Sequence, residues 1–275
     1  MTRPRFHLLG AAGYIAYKHL DAIKEVGGEL VSAHDISDSV GILDRYNKMC
    51  NFTKCYQEAY ERYRVGDYVV ICTPNHLHHV HSLDALDRGA RVICEKPVVT
   101  DAFQVSKLLE REVDIYPVLQ MRHHPTAKWL EGQHGKIGRV VYSTPRGLWY
   151  GSSWKSERAK SGGLMLNIGI HLFDLLLWKF GEPTVKKVHY SDFNKAAGRI
   201  KWADDTQVDW LLTIDPRDCP TGQPVREMHF GLEHATLESP PFCLHEQTYR
   251  EILAGTAPTF KDAVAGLELV YEMRS

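Results

Sequence analysis

The sequence has little of what marks a secreted, membrane-spanning or nucleic-acid-binding chain. Among its 275 residues are six cysteines, Cys50, Cys55, Cys72, Cys94, Cys219 and Cys243, and no two form a CxxC pair. That spacing argues against the disulfide framework of a small secreted domain and against zinc sites built on paired thiolates. Cys72 and Cys94 lie inside apolar runs, where a free thiol packs as a small hydrophobe, so a reducing, cytoplasmic compartment is expected. Neither sign of charge dominates: 33 Lys and Arg against 34 Asp and Glu leave a net charge of −1. There is no basic footprint for nucleic acid and no acidic solvating tail. No segment approaches the ~20 apolar residues of a membrane span, and no repeat or low-complexity tract is visible. The opening "MTRPRFHLLGAAGYIA" has the early arginines of a signal peptide. Its apolar run is short, broken by glycines and followed by amphipathic "YKHLDAIKEV", so strand, turn and helix account for it better.

What is present alternates. "RFHLLG", "ELVSAHD", "DYVVICTP", "ARVICEKP" and "IYPVLQMR" read as five strands. "YIAYKHLDAIKEVG", "LHHVHSLDALDRG" and "DAFQVSKLLEREV" read as intervening helices, two of them with glycine stops. The alternation predicts a doubly wound parallel sheet of Rossmann type over residues 1–122. The rest reads as an α+β domain over 123–275 with an open, largely antiparallel sheet. Its parts are strands in "GRVVYSTPRGLWY", "TVKKVHYSDF", "DTQVDWLLTID" and "VREMHFGLEHATLES", one long apolar helix in "GGLMLNIGIHLFDLLLWKFG", and two closing helices, the last of which is expected to pack back on the first domain.

The first turn, "GAAGYIA", supplies Gly10, Ala12, Gly13, Tyr14 and Ile15. A dinucleotide fingerprint has three glycines there; Ala12 and Ile15 replace two of them, so the turn alone is a weak signal. Its context strengthens it, because Asp35 follows the second strand at the spacing of a ribose-binding acid. A carboxylate there repels a 2′-phosphate, which favours NAD over NADP. An ordinary tight turn, with Asp35 capping the "ISDS" loop around Ser37, is the competing reading. Thr73, Asn75 and His78 follow the third strand, where ligands of such sheets bind. Pro74-Asn75 starting a helix is the bland alternative. His76, His78, His79 and His81 spread around that helix rather than pairing as zinc ligands, so no metal is expected.

Glu95, Lys96 and Pro97 end the fourth strand and open toward the same sheet edge. A lysine there, desolvated and beside a cationic nicotinamide ring, loses proton affinity and becomes a base for a carbinol proton. A structural Glu–Lys pair is the equal alternative. Further on, Asn167, His171, Asp174 and Trp178 recur at i, i+4, i+7 and i+11, which predicts one polar face on the apolar helix. A satisfied core histidine competes with a catalytic one.

These blocks carry a resemblance. "EKP", "TPNHLH" and "NIGIH" resemble the Gfo/Idh/MocA oxidoreductases. "GAAGYIA", "VSAHDISDSVGILD", "LQMRHH", "RGLWYGSSWK" and "YREILAG" are similar to the UDP-N-acetylglucosaminuronic acid 3-dehydrogenase branch of that family, across nearly the whole chain. The resemblance implies NAD as cofactor and oxidation of a UDP-sugar acid at C3, in the 2,3-diamino sugar biosynthesis that feeds lipopolysaccharide O-antigen. It implies Lys96 as base, with His171 assisting and Asn167 orienting the sugar. The wider family often has aspartate at the position of Asn167, so the resemblance places the acid–base role on Lys96 and His171 instead. Cofactor contacts are implied at the first turn, at Asp35 and Ser37, at Thr73, Asn75 and His78, at Glu95 and Lys96, and at Gln120 and Arg122. Substrate contacts are implied at His123, Arg146, Trp149, Tyr150, Trp154 and Lys155, whose cations and aromatic faces suit a carboxylate, two phosphates and rings. Trp149 and Tyr150 are adjacent and point apart if that piece is extended. A homotetramer packed through the open sheets and recycling of NADH by 2-oxoglutarate are implied in the same way. Another sugar or cyclitol as substrate, or a non-catalytic NAD-binding regulator, are the alternatives.

Overall fold

Short, apolar strands set the first half of the chain. In the computed structural model, which describes residues 3–111, 114–219, 221–240 and 242–274, β1 (Arg5–Leu9), β2 (Glu29–His34), β3 (Asn51–Thr53), β4 (Tyr68–Ile71), β5 (Arg91–Cys94) and β6 (Ile115–Pro117) form one sheet. Its order is β3-β2-β1-β4-β5-β6, and every neighbouring pair is parallel. Helices α1 (Ala16–Glu25), α2 (Tyr56–Tyr60), α3 (Asn75–Asp87) and α4 (Ala102–Leu109) connect the strands. All four residues of β4 and the last four of β1 are buried, as a strand covered on both faces requires. The strand order reverses between β1 and β4, which puts the switch point at the carboxyl ends of these two strands.

Sequence periodicity missed β3. Its three residues, "NFT", are too few to show a period, and the stretch around them reads as a trimmed connection. The helix expected to reach Val113 has the regular span Ala102–Leu109, with Asp101 accepting from the Phe103 N–H at 2.8 Å as its cap. Its expected last residues, Glu112 and Val113, lie outside the described residues.

The second sheet contains β7 (Ile137–Ser143), β8 (Val185–Ser191), β9 (Lys195–Lys201), β10 (Gln207–Thr213), β11 (Val225–Phe230) and β12 (Glu233–Thr236), in the order β12-β11-β7-β10-β9-β8. Only β7 and β10 pair parallel; the other neighbours are antiparallel. β9, "KAAGRIK", was not expected, because small residues and three cations hide its alternation. Around the sheet lie α5 (Pro125–Leu130), α6 (Arg158–Ser161), α7 (Leu164–Asn167) and α8 (Ile170–Phe180). The chain closes with α9 (Leu244–Ala254) and α10 (Phe260–Arg274).

The long helix expected across "GGLMLNIGIHLFDLLLWKFG" is two helices. α6–α7 and α8 meet at a 45° bend around Ile168 and Gly169. A Cβ at Gly169 would stand 2.5 Å from Leu212 Cδ1 and 2.7 Å from the Met165 carbonyl, so the break is a point of close approach that only glycine fills. Asn167 ends α7 while His171, Asp174 and Trp178 ride on α8; the single face drawn from the spacing is therefore wrong at its first member. Among the described residues, no single helix is long and apolar enough to cross a membrane.

Contacts divide the chain into two units. The first holds residues up to Gln120 and also Cys243–Ala263; the second holds Met121–Phe242 and the C-terminal stretch from Val264. The sequence assigns 123–275 to one domain and predicts that its last helix returns to the first, whereas Cys243–Ala263 makes the return and α10 from Val264 onward belongs to the second unit. The return is α9, whose Tyr249 and Ile252 are buried in the same core as Phe6, Leu20 and Tyr68. Tyr249 and Phe6 have ring centroids 5.7 Å apart, within the range of a favourable aromatic pair.

Candidate active site

In the first unit the site begins at the turn after β1. Gly10 has φ +83°, and a Cβ there would lie 2.6 Å from the Cys72 carbonyl. The Gly10 and Ala11 N–H groups donate to the His34 carbonyl at 2.9 and 3.1 Å. Gly10→Ala should therefore cost about 2 kcal/mol or more, from positive-φ strain plus the clash. Urea unfolding of the two proteins checks it, and an unchanged midpoint would refute it.

Beyond the turn, α1 starts after Ile15 with no side chain capping its N-terminus, so its first N–H groups suit an anion. Asp35 lies just past β2, where one carboxylate oxygen accepts from Ala12 N–H at 2.9 Å and the other from Ser37 N–H at 2.9 Å. The acid is thus tied to both the loop that follows it and the turn that precedes α1. Tyr14 is exposed and Ile15 half-buried on the rim of that turn. A glycine turn of positive φ, an uncapped helix start and a strand-end acid together fit an NAD pyrophosphate and ribose.

Along the switch point, the Thr73 hydroxyl bonds His81 Nδ1 at 3.0 Å. His78 is buried and bridges two segments: Nε2 meets the Thr73 carbonyl and Nδ1 the Pro97 carbonyl, each at 2.7 Å. Burial drives its basicity down, against the pull of those carbonyls and of Glu95. A neutral ring has a single N–H, so one of the two contacts carries a proton at a time. Either way His78 fastens the Lys96–Pro97 turn to the end of β4. Asn75 is buried at the first position of α3.

Glu95 is buried where the flanking Lys96 is half-exposed. Glu95 Oε1 accepts from His19 Nε2 at 3.0 Å and from His245 Nε2 at 3.3 Å, and Oε2 faces the Lys96 N–H at 3.3 Å. His19 Nδ1 in turn meets the Tyr249 hydroxyl at 2.8 Å. Burial pushes the Glu95 carboxyl up, but the two imidazoles outweigh it and hold it well below the usual carboxylate range. His19, His245 and Tyr249 were not singled out in the sequence. The signal was there: a histidine on the apolar stripe of α1, and His245 with Tyr249 four residues apart on one face of α9.

The second unit carries its own cluster. Asn167 Nδ2 donates to the Tyr150 hydroxyl at 3.2 Å, and both residues are buried. His171, second residue of α8, is half-buried. The stretch Leu148–Ser152 is a 3-10 turn rather than extended. Tyr150 points inward and Trp149 is exposed, their rings 5.7 Å apart edge to face. Lys155 Nζ lies 5.6 Å from the ring centres of both Trp149 and Trp154. Burial, then the neighbouring Arg146 charge, lowers the Lys155 proton affinity. A lysine held between aromatic faces, with the Arg146 charge near it, suits an anionic ligand.

His123 closes the 3-10 turn Gln120–His123 and is half-buried, as is Gln120. Arg122 in the same turn has a partner the sequence reading did not give it. Its Nε and one terminal nitrogen donate to the two Asp174 oxygens at 3.0 and 2.6 Å, and the guanidinium stacks 5.5 Å from the Trp178 ring centre.

A 3-2-1-4-5-6 parallel sheet with this turn, and a lysine at the end of β5, define a nicotinamide-dinucleotide oxidoreductase architecture. Comparison with known proteins gives the family. The description "Oxidoreductase family, NAD-binding Rossmann fold" matches residues 5–121, and "Oxidoreductase family, C-terminal alpha/beta domain" matches residues 133–211. The chain belongs to the Gfo/Idh/MocA oxidoreductase family, and its first domain is that family's NAD-binding domain. Among solved structures, the chain is similar to the WlbA (WbpB) dehydrogenase of Thermus thermophilus in complex with NAD and UDP-GlcNAcA. The two are 36% identical with a TM-score of 0.91, covering 99% of this chain and 95% of that one. The same dehydrogenase with NAD and alpha-ketoglutarate gives 37% identity and a TM-score of 0.90, with 99% and 95% covered. Among curated proteins, the "Rhizopine catabolism protein MocA" of Rhizobium meliloti is 31% identical over 74% of this chain and 66% of its own length. The "D-glucoside 3-dehydrogenase" of Escherichia coli is 31% identical over 47% of this chain, and the match spans 40% of that protein.

Proposed function

We propose that the protein is an NAD-dependent sugar dehydrogenase that oxidises the C3 hydroxyl of UDP-N-acetyl-glucosaminuronic acid to a ketone. What carries this reading is Lys96, held at the carboxyl end of β5 by a buried glutamate before it and a histidine-strapped proline after it. The likeness in sequence and fold to the Thermus enzyme supplies the substrate. NAD, when bound, would supply the acceptor for the C3 hydride. The chain's own residues do the rest. The Lys96 amine takes the C3 hydroxyl proton as the C–O bond becomes a carbonyl. Asn167, fixed through Tyr150, and His171 orient the sugar, while Arg146 and Lys155 bind its anionic groups and the nearby indoles pack on rings. On this reading Gln120 contacts the cofactor and His123 the sugar, while Arg122 acts through Asp174.

Recycling follows the same chemistry in reverse: 2-oxoglutarate, reduced at its keto carbon to 2-hydroxyglutarate, takes back the hydride and a proton. A homotetramer through the open sheet is part of the proposal, supported by the exposed Val185, Tyr190 and Phe193 on and beside β8.

The test is NADH formation by the purified protein with NAD and UDP-N-acetyl-glucosaminuronate, read as a stoichiometric burst and as turnover with 2-oxoglutarate present. A burst with the uronate and at least about tenfold less with UDP-N-acetylglucosamine is expected, because the carboxylate is the group that the cationic cluster discriminates. Reduction with a simple glucoside or with UDP-N-acetylglucosamine, and none with the uronate, would reject the substrate and leave the fold's chemistry standing.

A further inference from the structure

The mechanism above leaves a buried charge unused. Glu95 lies inside the first unit with its Oε1 taken by two imidazole N–H groups and its Oε2 turned to the backbone of Lys96. The proton positions in the cluster can be assigned from the bonding alone. His19 must place its proton on Nε2 to donate to the carboxylate, which leaves Nδ1 bare to accept from the Tyr249 hydroxyl. Burial keeps that phenol protonated and that imidazole neutral. His245 donates to the same oxygen from α9. The Tyr249 O–H, the two Nε2–H groups and the carboxylate therefore form a closed set of donors and acceptors. His19, Glu95 and His245 each bring a metal-ligand atom to within 4.8 Å of the others. Here those atoms already satisfy one another as donor and acceptor.

We propose that His19, His245 and Tyr249 are positioning residues that keep Glu95 a buried anion beside Lys96, and that this anion sustains the basicity of the Lys96 amine and favours the cationic, oxidised nicotinamide over the reduced one. The effect on Lys96 rests on the dehydrogenase reading; the effect on cofactor preference does not. The charge balance gives the reason. A lysine next to a cationic ring loses proton affinity, and an anion one residue away opposes that loss. When the amine takes the hydroxyl proton, the positive charge at the site moves onto Lys96, and Glu95 stabilises it there. The other groups that feel Glu95 cannot do this. The Cys72 and Cys94 thiols are held neutral by burial, and His78 spends its ring on two carbonyls. The arrangement also explains why the chain returns to the first unit through α9, since this helix delivers both His245 and Tyr249.

The experiment measures two things on Glu95→Gln, His245→Ala and His245→Gln. NAD and NADH affinities are titrated by protein fluorescence. Glu95→Gln should raise the NADH-to-NAD preference by about tenfold, the effect of one nearby charge. His245→Ala should move it the same way, and His245→Gln, which keeps an N–H donor, should return it. The pH profile of the hydride burst is then recorded. In Glu95→Gln its acid limb should move to lower pH by about one unit. Equal losses for both cofactor forms with the limb in place would reduce the cluster to a mere fastening and overturn the proposal. So would one zinc per chain retained through gel filtration, lost in His245→Ala. Absence of any burst in the unmodified protein would sink the dehydrogenase reading, while the cofactor ratio would still decide this one. If Glu95→Gln does not fold, His245→Ala carries both measurements.

Discussion

Replacing Lys96 with Met should lower the hydride burst by at least about a hundredfold while NAD binding changes by no more than a few-fold. The magnitude is that of a lost general base, about 10²–10⁴ in rate. Methionine matches the lysine stem in length and can pack against the same walls, so the turn and the fold should persist. The contrast with Lys96→Arg separates charge from proton transfer. Arginine keeps the cation but does not give up its proton in any accessible range, so it should be as inactive as methionine. If Lys96→Arg retained substantial activity, the side chain would be acting as a fixed charge, and the base would have to be sought elsewhere, with His171 next. If Lys96→Met lost NAD binding in proportion to activity, the lysine would be a cofactor ligand instead. The structure favours the first outcome. The residues on either side of Lys96 are immobilised, Glu95 by three donors and Pro97 through His78, whereas Lys96 itself is half-exposed. A chain that fixes both neighbours of one amine is holding that amine for use.

Much of this was legible in the sequence, and the limits have physical causes. β1, β2, β4, β5 and β6 announce themselves because buried parallel strands are nearly continuous apolar runs. β3 and β9 do not, the one for shortness and the other because Ala, Gly and cations leave no alternation to see. The glycine turn, Asp35 and the strand-end lysine were found from their order along the chain, since a strand–turn–helix unit fixes where its ligand must lie. Long-range partners were not. His19 lies 76 residues from Glu95, and His245 lies 150 residues from it. Nothing local in "YKHLDAI" or "LHEQTYREIL" says that two histidines so far apart share one carboxylate oxygen. The break at Gly169 was hidden for a similar reason: the sequence shows a tolerable glycine in an apolar helix, and only the Leu212 side chain, delivered by β10, makes it obligatory. Asn167, a polar residue buried among apolar neighbours, needs a partner, which Tyr150 supplies.

The Arg122–Asp174 pair should give the largest stability change of any single truncation outside the glycine turns. Its two bonds are short and parallel, at 3.0 and 2.6 Å, and the side chains are 12% and 4% exposed. Little solvent remains to screen or replace them, so the small contribution of a surface ion pair does not apply. Asp174→Ala strips the guanidinium of a bidentate partner in a nearly dry setting and should cost about 3–5 kcal/mol. Arg122→Met should cost a similar amount at neutral pH. Its deficit should shrink as the pH falls, because a carboxyl deprived of its cation can discard its charge by protonation, whereas a guanidinium cannot. Arg122→Met with Asp174→Leu should recover a large part of the loss, since neither charge is then left in the interior. Urea unfolding of the unmodified protein, Arg122→Met, Asp174→Leu and the double variant forms a double-mutant cycle. A coupling below about 1 kcal/mol would show that the pair is solvated after all. Strong coupling with a loss of sugar turnover and intact NAD binding would place Arg122 where the proposal has it, as the brace between the turn after β6 and the helix that carries His171.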